Sequence, residues 1–130
     1  MDLKNKTIHK KRNVIIPSKG RLYIKATFNN TLVTLTDSEG KVLLWGSSGR
    51  SGFKGSRKST PYAATTAIEN LLKQARESGL RFLEVYIKGP GPGRDAVLRV
   101  LRNIDLKIGL LADITPMPHN GTRPKKRRRI

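Results

Sequence analysis

The sequence predicts a single α/β domain with elements in the order βββαβαβ, and three observations carry that prediction. Arg21 to Phe28 alternates residue by residue. Leu22, Ile24, Ala26 and Phe28 fall on one side and Arg21, Tyr23, Lys25 and Thr27 on the other, the period of a half-buried strand. Two later stretches place apolar residues at helical spacing, Ala64, Ile68, Leu71 and Ala75 in the first and Val97, Val100, Leu101 and Ile104 in the second. Between them, Phe82 to Ile87 is a run of aromatic, β-branched and leucine side chains with one charge, which reads as a buried strand.

In chain order, Asn29-Asn30 turns the first strand into Thr31 to Thr36. Asp37-Ser38-Glu39-Gly40 then turns that strand into Lys41 to Trp45, completing an antiparallel meander. From Gly46 to Pro61 the composition shifts to Gly, Ser, Lys and Arg, a stretch read as a loop without secondary structure of its own. Long loops of that kind are functional or disordered. The one-sided charge of Arg50, Lys54, Arg57 and Lys58, with Phe53 among them to pack or stack, favours function. Thr60 as N-cap and Pro61 at the first position start a helix that Gly79 ends, with Glu69–Lys73 and Lys73–Glu77 as i, i+4 pairs. The second helix is expected over Asp95 to Ile104, with Asp95, Arg99 and Arg102 on its outer face, and a last apolar strand over Leu106 to Ile114. A meander followed by two βα units implies a mixed sheet whose later strands are parallel through right-handed crossovers. Helices cover that sheet, and the loops at the strand C-terminal ends face a ligand.

Charge narrows the ligand. Among 130 residues, 27 Lys and Arg against 9 Asp and Glu leave a net +18. That excess is self-repelling unless a polyanion neutralises it, and nucleic acid is the first candidate. An anionic membrane surface is the second, but there is no long basic amphipathic helix, no apolar run near the roughly 20 residues of a spanning helix, and no apolar signal core at the N-terminus. Absence of cysteine excludes disulfides and Cys-ligated zinc, and two histidines do not suggest a metal site. We therefore expect no cofactor, no metal and no small-molecule substrate.

The basic residues divide the chain into three parts. Residues 1–20 form an arm carrying Lys10, Lys11 and Arg12 with no apolar periodicity, 21–115 the domain, and 116–130 an extended tail. In the tail, Thr115-Pro116-Met117-Pro118 is held extended by its prolines and His119-Asn120-Gly121-Thr122 reads as a turn. Arg123, Lys125, Lys126, Arg127, Arg128 and Arg129 then make six basic residues in seven. Taken alone, each extension reads equally as a solvated tail, and the second also as a nuclear-import signal.

Lys88-Gly89-Pro90-Gly91-Pro92-Gly93-Arg94-Asp95 joins the fourth strand to the second helix. Three glycines there suit close backbone approach of a phosphate, with outward-pointing amides at the positive end of the helix and Arg94, Arg99 and Arg102 behind them. On that reading, Gly91→Val damages RNA binding and leaves the fold largely intact. The other reading is a tight connection whose glycines only make the turn. It is neither a P-loop nor a dinucleotide fingerprint: the only Gly-Lys pair is Gly40-Lys41, followed by Val42, and the glycine spacing is GxGxG.

Four stretches together resemble the small-ribosomal-subunit protein S-eleven family, of bacterial and organellar type. They are Ala26-Thr27-Phe28-Asn29-Asn30-Thr31, the segment from Gly52 to Pro61, the segment from Lys88 to Ala96, and Thr115 to Gly121 followed by Arg123-Pro124 and the basic end. Thr122 stands where that family usually has Cys, and Lys125 where a second Pro is common; neither removes a positive charge. The resemblance implies a ribonuclease-H-like α/β fold with basic extensions. It also implies a non-enzymatic, structural role on the platform of the small subunit, in a bacterial cytoplasm or a plastid stroma. There the family bridges helices of 16S-type rRNA and helps form the Shine-Dalgarno and mRNA exit cleft, beside ribosomal proteins S-seven and S-eighteen, with initiation factor three binding nearby. The RNA-binding residues expected are Lys10, Lys11, Arg12, Arg50, Lys54, Arg57, Lys58, Lys88, Gly89, Gly91, Gly93, Arg94, Arg99, Arg102, His119, Asn120 and the six basic residues of the tail.

Two other classes compete. A nuclease on this fold needs carboxylates converging on paired cations. Arg21 to Phe28 has none, the fourth strand ends in Lys88-Gly89, and Glu69 has no evident partner. A generic DNA-compacting or nuclear basic protein would bind duplex DNA as well as rRNA.

Overall fold

A computed structural model of the protein describes residues 15–130. The meander forms β1 (Lys19–Ala26), β2 (Thr31–Thr36) and β3 (Val42–Ser47), followed by α1 (Pro61–Glu77), β4 (Phe82–Lys88), α2 (Gly93–Asn103) and β5 (Lys107–Asp113). The strands make one mixed sheet in the order β3-β2-β1-β4-β5. β1 pairs antiparallel with β2 and parallel with β4, while β3 and β5 form the edges, antiparallel to β2 and parallel to β4 respectively.

Alternation places Leu22 and Ile24 beside Leu35 and Val33 of β2 and beside Val85 and Ile87 of β4, so one face of the sheet is continuously apolar. That face is buried by Ile68, Leu71, Leu72 and Ala75 of α1 and by Val97 and Val100 of α2, all in one core cluster. The Thr60 hydroxyl accepts from the Ala63 amide at 3.3 Å, Pro61 opens the first turn, and Gly79 at φ +115° lets the chain leave α1. Both helices therefore cover the same face. On the other, Tyr23 and Tyr86 stack at 5.1 Å, and the Arg21 guanidinium lies 3.3 Å from Glu84.

The structure departs from the sequence reading at five places. Phe28 does not join the apolar side of β1. The Thr27 amide donates to the Asn30 carbonyl at 2.9 Å and the Asn30 amide to the Thr27 hydroxyl at 3.0 Å, so the chain turns after Ala26 and leaves Phe28 70% exposed. The basic loop is not wholly irregular: β3 runs on to Ser47, and Gly55–Ser59 makes a short 3-10 helix. Helix α2 starts at Gly93, two residues before the expected Asp95. Strand β5 bulges at Gly109, where Leu83 pairs with Ile108 and Glu84 with Leu110, and as an edge strand it leaves Leu110 and Leu111 exposed. Lys73 forms no ion pair with Glu69 or Glu77; instead Arg76 ties α1 to Asp105 at 2.9 Å.

These burials set an expectation for thermal or urea unfolding. Leu72→Ala removes a fully buried side chain between helix and sheet and costs about 2–5 kcal/mol. Leu110→Ala on the exposed edge stays within about 0.5 kcal/mol of the parent.

Candidate nucleic-acid interface

At the C-terminal ends of the parallel strands, three connections converge: the turn from Thr27 to Asn30, the glycine loop after β4, and the segment after β5. The glycines are explained by what they touch. A Cβ at Gly89 would stand 2.2 Å from the Ala26 carbonyl oxygen, one at Gly91 2.2 Å from the Thr27 carbonyl oxygen, and one at Gly93 2.4 Å from the Thr31 hydroxyl. Gly89 also sits at φ +100°. The Gly91 amide donates to Ala26 at 3.0 Å and the Gly89 amide to the Thr115 hydroxyl at 3.1 Å. Close backbone approach is thus real, but the approaching backbone belongs to the protein's own first turn. Gly91 and Gly93 are buried, which removes both from the contact surface drawn from the sequence, whereas Gly89 stays half-exposed. The two amides on Gly89 and Gly91 point inward to these partners rather than outward to a phosphate.

Arg94 locks this arrangement. Its guanidinium donates to the Gly89 carbonyl at 2.9 Å, the Thr115 hydroxyl at 3.2 Å and the Asp113 carboxylate at 2.5 Å, joining the starts and ends of three elements. Asp113 also accepts from the Thr115 hydroxyl and amide. The Arg94 bond, reinforced by those from Thr115, holds the Asp113 carboxyl well below the usual carboxylate range, and the same bond raises the Arg94 pKa further. Asp95, the other acid near Arg94, is not its ion-pair partner.

The second basic loop is anchored at the same place. The Ser48 amide donates to the Thr31 carbonyl at 3.1 Å, while the Thr31 side chain lies against Gly93. Buried Thr31 therefore joins two loops that lie far apart in sequence. Within the loop, the Phe53 amide donates to the Ser48 carbonyl and the half-buried Phe53 ring meets exposed Tyr62 edge-on at 5.8 Å, so Phe53 packs against α1 at the surface. Arg50 lies 4.2 Å over the Trp45 ring and donates to the Trp45 carbonyl at 3.0 Å. Lys54 and Arg57 are exposed, and Lys58 is half-buried with its stem over Gly49.

Among the described residues the ion pairs are Arg21–Glu84, Arg76–Asp105 and Arg94–Asp113, so Arg50, Lys54, Arg57, Lys58, Lys88, Arg99 and Arg102 have no carboxylate partner there. Arg99 and Arg102 are exposed on α2. His119, Asn120, Arg123, Lys125, Lys126, Arg127, Arg128 and Arg129 are all exposed in a tail without helix or strand, with Asn120 in the left-handed region at φ 53°. Lys10, Lys11 and Arg12 lie outside the described residues. The acids, in turn, are dispersed: no three Asp, Glu or His side chains gather among the described residues as a metal cluster would require.

Sequence reasoning missed Lys25, which pairs in register with Lys88, and exposed Phe28 beside it. The alternation of β1 already put Lys25 on the solvent side, but its partner depends on the strand order. Against this geometry, the family model described as ribosomal protein S11 matches residues 20–129.

Two measurements check the loop. Gly91→Val must push its side chain into the Thr27 carbonyl, so it costs about 1–3 kcal/mol or more and lowers or broadens the cooperative melt, where Gly109→Ala, with open space around it, does not. The Asp113 pKa is depressed in the fold. Its stabilising contribution is therefore complete above the unfolded carboxylate pKa of about 3.9 and is lost as pH falls from there through the lower folded value. Asp113→Asn is less stable than the parent at neutral pH, and the difference shrinks below about pH 4.

Proposed function

The chain belongs to the ribosomal protein S11 family, structural proteins of the small ribosomal subunit that bind rRNA, and from that premise we propose that it bridges separate helices of 16S-type rRNA on the subunit platform. The observation that carries this reading is the junction at Thr31, which couples the loop bearing Arg50, Lys54, Arg57 and Lys58 to the glycine loop bearing Lys88. Thr115, bonded to Gly89 in that same loop, starts the segment leading to the basic tail. Three cationic segments with little acid between them thus leave one rigid hub, the layout needed to engage phosphates of more than one RNA helix. A-form RNA is met through phosphates and 2′-hydroxyls, which suits flexible Lys and Arg on such a frame.

In this reading Lys54, Arg57, Lys58, Lys88, Arg99, Arg102 and the basic residues of both extensions neutralise phosphates. Arg94 acts by holding the Gly89 loop in shape. The sheet order, with both helices on one face, supports the ribonuclease-H-like description of the domain. The family further suggests a place at the Shine-Dalgarno and mRNA exit cleft, with S-seven, S-eighteen and initiation factor three as neighbours, in a bacterial cytoplasm or plastid stroma.

Removing Arg123 to Ile130 deletes six positive charges and little buried surface, so the melting temperature stays nearly unchanged. The slope of log K against log salt for small-subunit rRNA shrinks by roughly three to five units, at about 0.9 per neutralised phosphate. Full-length protein co-sediments with small subunits and prefers a platform rRNA fragment to duplex DNA. Equal affinity for the two, or a slope unchanged within about one unit, would overturn the assignment of the tail and loops to rRNA.

A further inference from the structure

A cleft of about 390 Å³ opens where β1 and β4 end, beside the glycine loop, and the wall is almost wholly apolar. Ala26, Phe28, Pro90 and Pro116 are among its lining residues, with Lys25 and Lys88 as the only charged ones. Phe28 is 70% exposed although it continues the apolar alternation of β1 in the sequence, and the turn that holds it out is fixed by the Thr27–Asn30 bonds. Resting on the rRNA-binding reading above, we propose that this cleft receives one unpaired nucleobase of the rRNA, stacked on Phe28, while Lys25 and Lys88 hold the neighbouring phosphates.

Three features favour a nucleotide over a protein side chain. Both charges at the rim are cationic and no carboxylate lines the cleft, which suits a phosphodiester and offers nothing to a basic peptide. The two lysines are register partners on adjacent parallel strands, so their backbones hold them a fixed distance apart. The remaining wall is mostly apolar and includes the rings of Phe28, Pro90 and Pro116, an aromatic among them on which a single-stranded base can stack without regard to sequence. The cleft also shares Gly89 and Thr115 with the hub from which the basic segments leave, so a base held there is next to RNA bound by those segments.

The test uses full-length protein and intact small-subunit rRNA transcribed in vitro. Irradiation at 254 nm followed by digestion and mass spectrometry yields a nucleotide adduct on the peptide containing Phe28. Phe28→Ala lowers rRNA affinity about five- to 150-fold, the range that base–aromatic stacking spans in alanine substitutions. Phe28→Trp restores binding, and Phe28→Leu, apolar but unable to stack, remains close to the alanine variant. Because Phe28 is exposed, all three melt like the parent. Lys25→Gln combined with Lys88→Gln lowers the salt slope by about 1.4 to 1.8 units, the contribution of two phosphates. Wild-type affinity in Phe28→Ala or Phe28→Leu overturns the proposal. So does normal rRNA affinity with a defect only in joining subunits that contain the other proteins, which would assign the cleft to a protein side chain. Loss of rRNA binding by the wild type would overturn the parent reading as well, and is distinguished by being measured first.

Discussion

The candidate interface depends on one steric constraint: the backbone from Ala26 to Thr31 lies so close to the glycine loop that no side-chain carbon fits between them. Gly89 and Gly91 each face a carbonyl oxygen and Gly93 faces the Thr31 hydroxyl. A main-chain carbonyl cannot move aside as a flexible side chain can, so Gly89 and Gly91 are determined by the neighbouring backbone, and Gly93 by the buried Thr31 side chain. Everything attached to the loop inherits its rigidity, including the start of α2, the Arg94 guanidinium and, through Thr115, the exit of the tail.

Electrostatics completes what packing begins. Three of the described acids are engaged by specific cations: Glu84 by Arg21, Asp105 by Arg76 and Asp113 by Arg94. These are exposed or half-exposed pairs, so each contributes modestly to stability in salt. Their larger consequence is to define which cations remain without a partner. They include Arg50, Lys54, Arg57 and Lys58 in the Gly46–Pro61 loop, Arg99 and Arg102 on the outer face of α2, which they share with the acid Asp95, and the basic residues of the tail. A net charge of +18 on 130 residues is self-repelling, and neutralisation by rRNA offsets that repulsion.

The two faces of the sheet divide the work. One is sealed by α1 and α2 and supplies the hydrophobic stability; the other keeps Tyr23, Tyr86, Arg21 and Glu84 half-exposed on a surface with no helix over it among the described residues. An architecture that loads both helices onto one side leaves strand ends and loops accessible from several directions. The proposed bridging of RNA helices needs that access more than it needs a deep pocket.

Local chemistry made much of this legible in the sequence. Period-2 alternation located β1, Thr60-Pro61 and Gly79 bracketed α1, and the spacing of Val97 and Val100 identified the buried face of α2, because each signal depends only on residues a turn or two apart. The charge surplus and the four family motifs were likewise readable without coordinates. What only the tertiary structure decided are relations between residues distant in the chain. GxGxG has the same local preferences whether it faces a phosphate or a carbonyl of its own first turn, so only the β1–β4 pairing revealed what the glycines accommodate. Arg94 found Asp113 rather than its neighbour Asp95 because β5 returns parallel to β4 and brings that carboxylate to the start of α2. Phe28 continued the apolar alternation of β1, yet lies outside the core because a two-bond turn ends the strand at Ala26.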